Sequence, residues 1–130
     1  MIDHISIAVR DLAAGLRFYE PVLATLGYSK LIVRATTVGF GKTYPDFWLN
    51  ERRAMPAPPP DNGVHIALRA PSVEAVVAFH AAVVAAGGTS ESGPGMRPEY
   101  TAGYYAAFVR DPDGNRIEAV TFVKAAGEQR

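Results

Sequence analysis

Residues 4–27 of this chain are written a second time as residues 65–88. At a constant offset of 61 positions His4 falls on His65, Ile5 on Ile66, Ala14 on Ala75, Phe18 on Phe79, Val22 on Val83, Ala24 on Ala85 and Gly27 on Gly88. The alignment needs no gap. Such a repeat constrains the fold more than any single motif, because each copy is one structural unit and the copies must share their burial.

Each copy opens as a strand and continues as a helix. Ile5, Ile7 and Val9 alternate with His4, Ser6 and Ala8, the period of a strand with one apolar face. Asp11 can cap the next segment, where Leu12, Leu16, Tyr19, Leu23 and Leu26 form a helical stripe that Gly27 can end. Pro21 lies inside this stripe and predicts a kink or a restart. In the second copy Val64, Ile66 and Leu68 alternate with His65, Ala67 and Arg69. Ser72 caps a helix with Glu74 in its first turn, Val73, Val76, Phe79, His80 and Val83 form its stripe, and Gly87-Gly88 ends it.

Candidate strands then occupy Ser29 to Arg34, Thr37 to Gly41 and Asp46 to Asn50 in the first half. In the second half they occupy Tyr104 to Arg110 and Arg116 to Val123, joined by the turn signal Asp111-Pro112-Asp113-Gly114. Thr89 to Pro98 is polar, rich in Gly and Pro, and has no strand pattern of its own. The repeat nevertheless gives each half the order strand, helix, strand, strand, strand. Met55 to Gly63, with Pro56, Pro58, Pro59 and Pro60, predicts an extended linker, since proline fixes φ and lacks an N–H.

The expected fold is α+β: two tandem βαβββ modules, whose mixed sheets form a cup-shaped, barrel-like site in one domain. Module 1 spans residues 1–54, the linker 55–63 and module 2 64–123, with residues 124–130 a frayed tail. One helix covers one face of each sheet, and the other face must close against a second copy. The absence of Cys excludes disulfides, thiolate metal sites and thiol catalysis. Equal counts of acidic and basic residues, 13 each, argue against a nucleic-acid partner. No stretch approaches a membrane span and the N-terminus carries no signal pattern, so no membrane partner and a cytoplasmic location are expected.

Alternation places His4 and His65 opposite Ile5 and Ile66, facing the cavity. In the last strand Ile117 and Ala119 face one way, and Glu118, Val120 and Phe122 the other. A carboxylate in an apolar strand is costly unless paired or bound to a metal; the reverse register would leave Glu118 solvated. Two imidazoles and one carboxylate form a set that suits Fe, Mn, Zn, Ni or Co as one divalent ion. His80 lies on the helix, on the wrong side of the sheet, and reads as structural.

Several segments together resemble the vicinal oxygen chelate superfamily, which holds glyoxalase I, extradiol dioxygenases, fosfomycin-resistance transferases and bleomycin-resistance proteins. They are His4-Ile5-Ser6-Ile7-Ala8-Val9 with Asp11-Leu12, Phe18-Tyr19 and Leu26-Gly27; Gly63-Val64-His65-Ile66-Ala67-Leu68; and Asp111-Pro112-Asp113-Gly114-Asn115-Arg116-Ile117-Glu118. The resemblance implies His4, His65 and Glu118 as ligands of one divalent metal that chelates adjacent oxygens of a small-molecule substrate. It also implies a homodimer as the common assembly, with modules paired within one chain or across two. Activity of the lyase, isomerase or transferase kind follows from it. Non-catalytic binding of an antibiotic or aromatic ligand, or extradiol-type Fe(II) dioxygenation, are the alternatives.

Glyoxalase I adds a fourth ligand, a Glu, at the position that Trp48 matches here, and an indole can neither ligate nor accept a proton. Tyr100, in a loop, is the candidate substrate contact or proton donor. Trp48, Tyr104 and Arg97 are the candidate pocket residues, Tyr105 falling on the opposite face from Tyr104.

Overall fold

The computed structural model describes residues 1–124, so the expected tail at 125–130 lies outside the described residues. Module 1 comprises β1 (Ile5–Val9), α1 (Leu12–Ala24), β2 (Ser29–Val33), β3 (Thr37–Gly41) and β4 (Pro45–Glu51). Module 2 comprises β5 (Ile66–Arg69), α2 (Val73–Ala85), β6 (Thr89–Met96), β7 (Tyr104–Arg110) and β8 (Arg116–Phe122). Two four-stranded sheets result, ordered β1-β4-β3-β2 and β5-β8-β7-β6. In each, the first and last strands of the module pair in parallel and the other pairs are antiparallel.

The repeat is kept at the level of single atoms. Both helices run 13 residues and start at the same offset. Asp11 Oδ1 accepts from Ala14 N at 3.1 Å, and Ser72 Oγ accepts from Ala75 N at 3.1 Å. Each cap satisfies one of the free N–H groups of the first turn, an effect worth about 1 kcal/mol. The offset slips at the helix ends: the positive φ falls on Gly27 (85°) and on Gly87 (95°) rather than Gly88. Gly88 is small for another reason, since a Cβ there would sit 2.7 Å from the Phe18 ring.

Two segments that the residues alone left open are resolved by the structure. α1 does not restart at Pro21 but runs through it to Ala24. Pro21 is exposed and lies in the last turn, where the missing N–H interrupts the helix ladder only near its end. Thr89–Met96 is a strand, β6, at the edge of its sheet. Its pairing with β7 shifts register between Ser90 and Ser92 and again between Ser92 and Gly95, which is how an edge strand accommodates Pro94.

The helix-facing sides of the two sheets share one core. Phe18, Tyr19, Val22, Leu23, Phe40, Phe47 and Leu49 of module 1 are fully buried, as are Val76, Phe79, Val83, Val109 and Ala119 of module 2. Each large apolar side chain buried this way contributes about 1.5–3 kcal/mol. The opposite faces of the sheets do not close on one another. The modules meet through α1 against α2 and through the β7–β8 turn.

That turn is the polar joint between the modules. Asp111, 3 % exposed, accepts from the Tyr19 hydroxyl at 2.5 Å through Oδ2. Its Oδ1 accepts from Asp113 N (2.9 Å) and Asn115 N (2.8 Å). Asn115 Nδ2 donates to Ala8 O at 2.9 Å, and Arg10 Nη1 to Asp113 Oδ1 at 2.8 Å. The linker is pinned to the same place: Arg10 Nε donates to Met55 O, Arg110 Nη2 to Pro60 O, and Arg116 Nη1 to Asp61 Oδ1. Among the described residues no helix is long and apolar enough to cross a membrane.

Tyr19→Phe is expected to cost about 1–3 kcal/mol, because it leaves a buried Asp111 oxygen short of a donor; urea unfolding checks this. Burial lifts the Asp111 carboxyl above 3.8, against the lowering effect of Tyr19 and Asn115. The folded state therefore holds that proton more tightly than the unfolded chain. The stability it contributes is complete below 3.8 and falls as pH rises through the raised value. Asp111→Asn removes that slope from the pH dependence of unfolding.

Candidate functional site

The open face of the second sheet carries a buried carboxylate. β5 runs parallel to β8 with Ala67 opposite Glu118, and β7 places Phe108 on its other side. Glu118 is 1 % exposed although it points away from the helix. Its two oxygens are both engaged. His65, just before β5, brings Nε2 to 3.2 Å from Oε1, and the Tyr104 hydroxyl donates to Oε2. The reverse register, with Glu118 in solvent, is thereby excluded. Tyr104 is pushed up to about 12, by burial first and then by the Glu118 carboxylate it bonds. It stays a hydroxyl donor at neutral pH.

An aromatic wall stands over this pair. The Tyr100 ring meets Tyr104 at 5.2 Å and Phe108 at 6.2 Å, and Tyr104 meets Phe122 at 5.4 Å, all edge-on. The Arg97 guanidinium lies 5.4 Å over the Phe108 ring. His65, Arg97, Tyr100 and Phe108 line a cavity of about 430 Å³, the size of a small-molecule site. Tyr105 packs on the helix side instead. His80 is also on that side, with Nε2 2.7 Å from Ser90 Oγ, so it cannot serve a reaction at Glu118.

His4 stands apart from this cavity. Its Nδ1 lies 2.6 Å from Asp3 Oδ1, and it shares with His65, Tyr28 and Asp46 a second groove of about 400 Å³. Among the described residues no three His, Asp or Glu side chains gather closely enough to hold a metal ion. One chain thus brings together His65 and Glu118, and not His4 with them.

Trp48 is related to Glu118 by the repeat. Ser6 pairs with Trp48 in the first sheet as Ala67 pairs with Glu118 in the second. The indole lies against Gly39, where a Cβ would come within 2.9 Å of it. Nε1 donates to Pro45 O at 3.2 Å, and Arg34 stacks at 5.7 Å. Trp48 therefore fills the carboxylate's place in module 1 and does not line the cavity of module 2.

The His65–Glu118 separation is that of an ordinary ion pair and is also compatible with two ligands of one divalent ion. Two donors each about 2.1 Å from one ion and about 100° apart lie roughly 3.2 Å from each other, which is the separation of Nε2 and Oε1. The Tyr104 bond to Oε2 would orient the carboxylate, as outer-shell partners do. Two functional side chains escaped the sequence. Phe108 was legible, because counting back from the Asp111 turn sets it opposite Glu118. Ser92, which holds Arg97, was not, because β6 gives no strand signal.

The comparisons with known proteins agree with this geometry. The model of the Glyoxalase/Bleomycin resistance protein/Dioxygenase superfamily matches residues 1–119. The chain belongs to that superfamily. A glyoxalase/bleomycin resistance protein from Albidiferax ferrireducens T118 is similar in structure, with 34% identity and a TM-score of 0.81; the match covers 91% of this chain and 96% of that one. A superfamily enzyme from Burkholderia phytofirmans PsJN shares the fold at 18% identity and TM-score 0.72, over 94% and 98% of the two chains. A glyoxalase-related enzyme from Fulvimarina pelagi does so at 20% identity and TM-score 0.72, over 92% and 86%. No curated protein matches this chain.

Trp48 is the sole tryptophan, so its fluorescence reports this face directly. Gly39→Ala should shift the emission and cost about 1–3 kcal/mol by overpacking against the indole. Unchanged emission and unfolding midpoint would show that the indole is not held by Gly39.

Proposed function

We propose that the chain is a divalent-metal-dependent enzyme acting on a small molecule seated over His65 and Glu118. The observation that carries this reading is a buried glutamate 3.2 Å from an imidazole that itself lines the cavity. His65 and Glu118 would hold one ion of Zn, Ni, Mn, Fe or Co, with His4 as third ligand. In one chain His4 is not beside them, so the reading takes His4 from a second copy in a homodimer whose open sheets face each other. A bound ion of this kind supplies a Lewis acid for two adjacent substrate oxygens.

The chain's own residues would do the rest. Tyr104, protonated at neutral pH, fixes the carboxylate by one oxygen and leaves the other toward His65. Tyr100 presents its hydroxyl from an exposed loop as substrate contact or proton donor.

A second reading, a binding or resistance protein without turnover, is favoured by Trp48. It replaces a carboxylate at the matching place in module 1, and so removes a base from that half of the site.

Chelator-stripped protein is expected to take up one Zn or Co ion per chain and to sediment as a dimer, at twice 13.9 kDa. Glu118→Gln and His4→Ala should each weaken metal binding by more than about 10–100-fold, the usual loss for an outer-shell partner. No stoichiometric uptake of any of the five metals sinks the enzyme reading; a monomer at micromolar concentration sinks the shared site.

A further inference from the structure

We propose that the cavity beside His65 and Glu118 selects a planar aromatic molecule bearing a negative charge, and that Arg97 and Phe108 are the residues that read it. This rests on the cavity being the ligand site, as in the proposed function, and not on a metal being bound.

The charges of the cavity carry the argument. Arg110 and Arg116 are both neutralised by Glu91, at 2.8 Å and 3.2 Å from their Nε atoms, and Arg116 also by Asp61 at 3.2 Å. Arg97 differs. Among the described residues it makes no ion pair with a carboxylate. Its Nη2 donates instead to neutral oxygens, Ser92 Oγ at 2.7 Å and Gly93 O at 2.6 Å. A full positive charge is thus held at the cavity wall. Glu99 is exposed at the mouth, where water screens it.

The ring follows from what surrounds that charge. The Arg97 guanidinium lies 5.4 Å from the Phe108 ring centre, and Tyr100 stands at 61° to the same ring, so two aromatic surfaces bound the space beside the guanidinium. Nη2 spends both hydrogens on Ser92 and Gly93, and Nη1 donates one to Met96 O at 3.3 Å, so Nε–H and the second Nη1–H are left for a carboxylate-like group, as single charge-assisted bonds and not as a bidentate fork. The arrangement is held in place before any ligand arrives. Arg97 N donates to Tyr104 O at 2.7 Å and Tyr100 N to Arg97 O at 3.0 Å, closing the loop between them. Gly95 leaves room for the side chain, since a Cβ there would lie 3.0 Å from Nη1. Preorganised groups lose little entropy on binding.

The test uses three isosteric probes on metal-free protein in excess chelator, followed by ¹⁹F NMR: 4-fluorobenzoate, 4-fluorobenzamide and 4-fluorobenzamidine. The benzoate should bind at least about 10-fold tighter than the amide, as a charge-assisted bond implies, and the amidine weakest. Arg97→Gln should erase that order, Arg97→Lys should keep part of it, and Phe108→Leu should weaken all three alike. Equal binding of benzoate and amide, an order that survives Arg97→Gln, or no binding by any probe overturns the proposal. Protein that takes up no metal yet keeps the order defeats the metal reading and leaves this one standing; the reverse result does the opposite.

Discussion

A four-stranded sheet with one helix has a face left over. In this chain that constraint operates twice. α1 and α2 pack together with the helix-facing sides of both sheets, and the sheets themselves never close on one another. The burial that holds the fold is spent on one side of each sheet, which leaves the other side for chemistry. Glu118 can be buried on that open side only because His65 and Tyr104 take up its two oxygens. An unpaired carboxylate in that strand would be strongly destabilising.

The two modules share a frame and have parted in content. The helix caps, helix lengths and parallel ladder are the same in both. The residue opposite the second position of the first strand is not: Trp48 in one, Glu118 in the other. The substitution alters more than one side chain. An indole needs the space above Gly39 and stacks with Arg34, whereas a carboxylate needs a hydroxyl and an imidazole. Each sheet has been rebuilt around its own choice, and the half with the carboxylate has the aromatic cavity.

Much of this was legible because local rules and tertiary context agree. The repeat located both helices and both caps, since an N-cap followed by an apolar stripe has one reading. The period of two assigned Glu118, Tyr104 and Tyr105 to their faces. What the residues alone left open lies where tertiary context decides. β6 is a strand because β7 needs an edge partner, not because Thr89–Met96 favours one. Pro21 is tolerated because it falls in the last turn of α1 on its exposed side. His4 aligns with His65 in the repeat, yet its place depends on how modules are arranged in space, which no spacing encodes. Arg97 was a candidate pocket residue from the sequence, but the contacts with Ser92 and Phe108 that give it a position were not legible there.

The linker has a consequence of its own. Met55, Pro60 and Asp61 are bonded to Arg10, Arg110 and Arg116, and Pro58 lies over Gly114. A segment moored at that many points acts as a strut and not as a hinge. The shared core already fixes how the modules sit, so the linker follows that joint and does not set it: lengthening it would loosen the moorings at Arg10, Arg110 and Arg116 while the core keeps both sheets where they are.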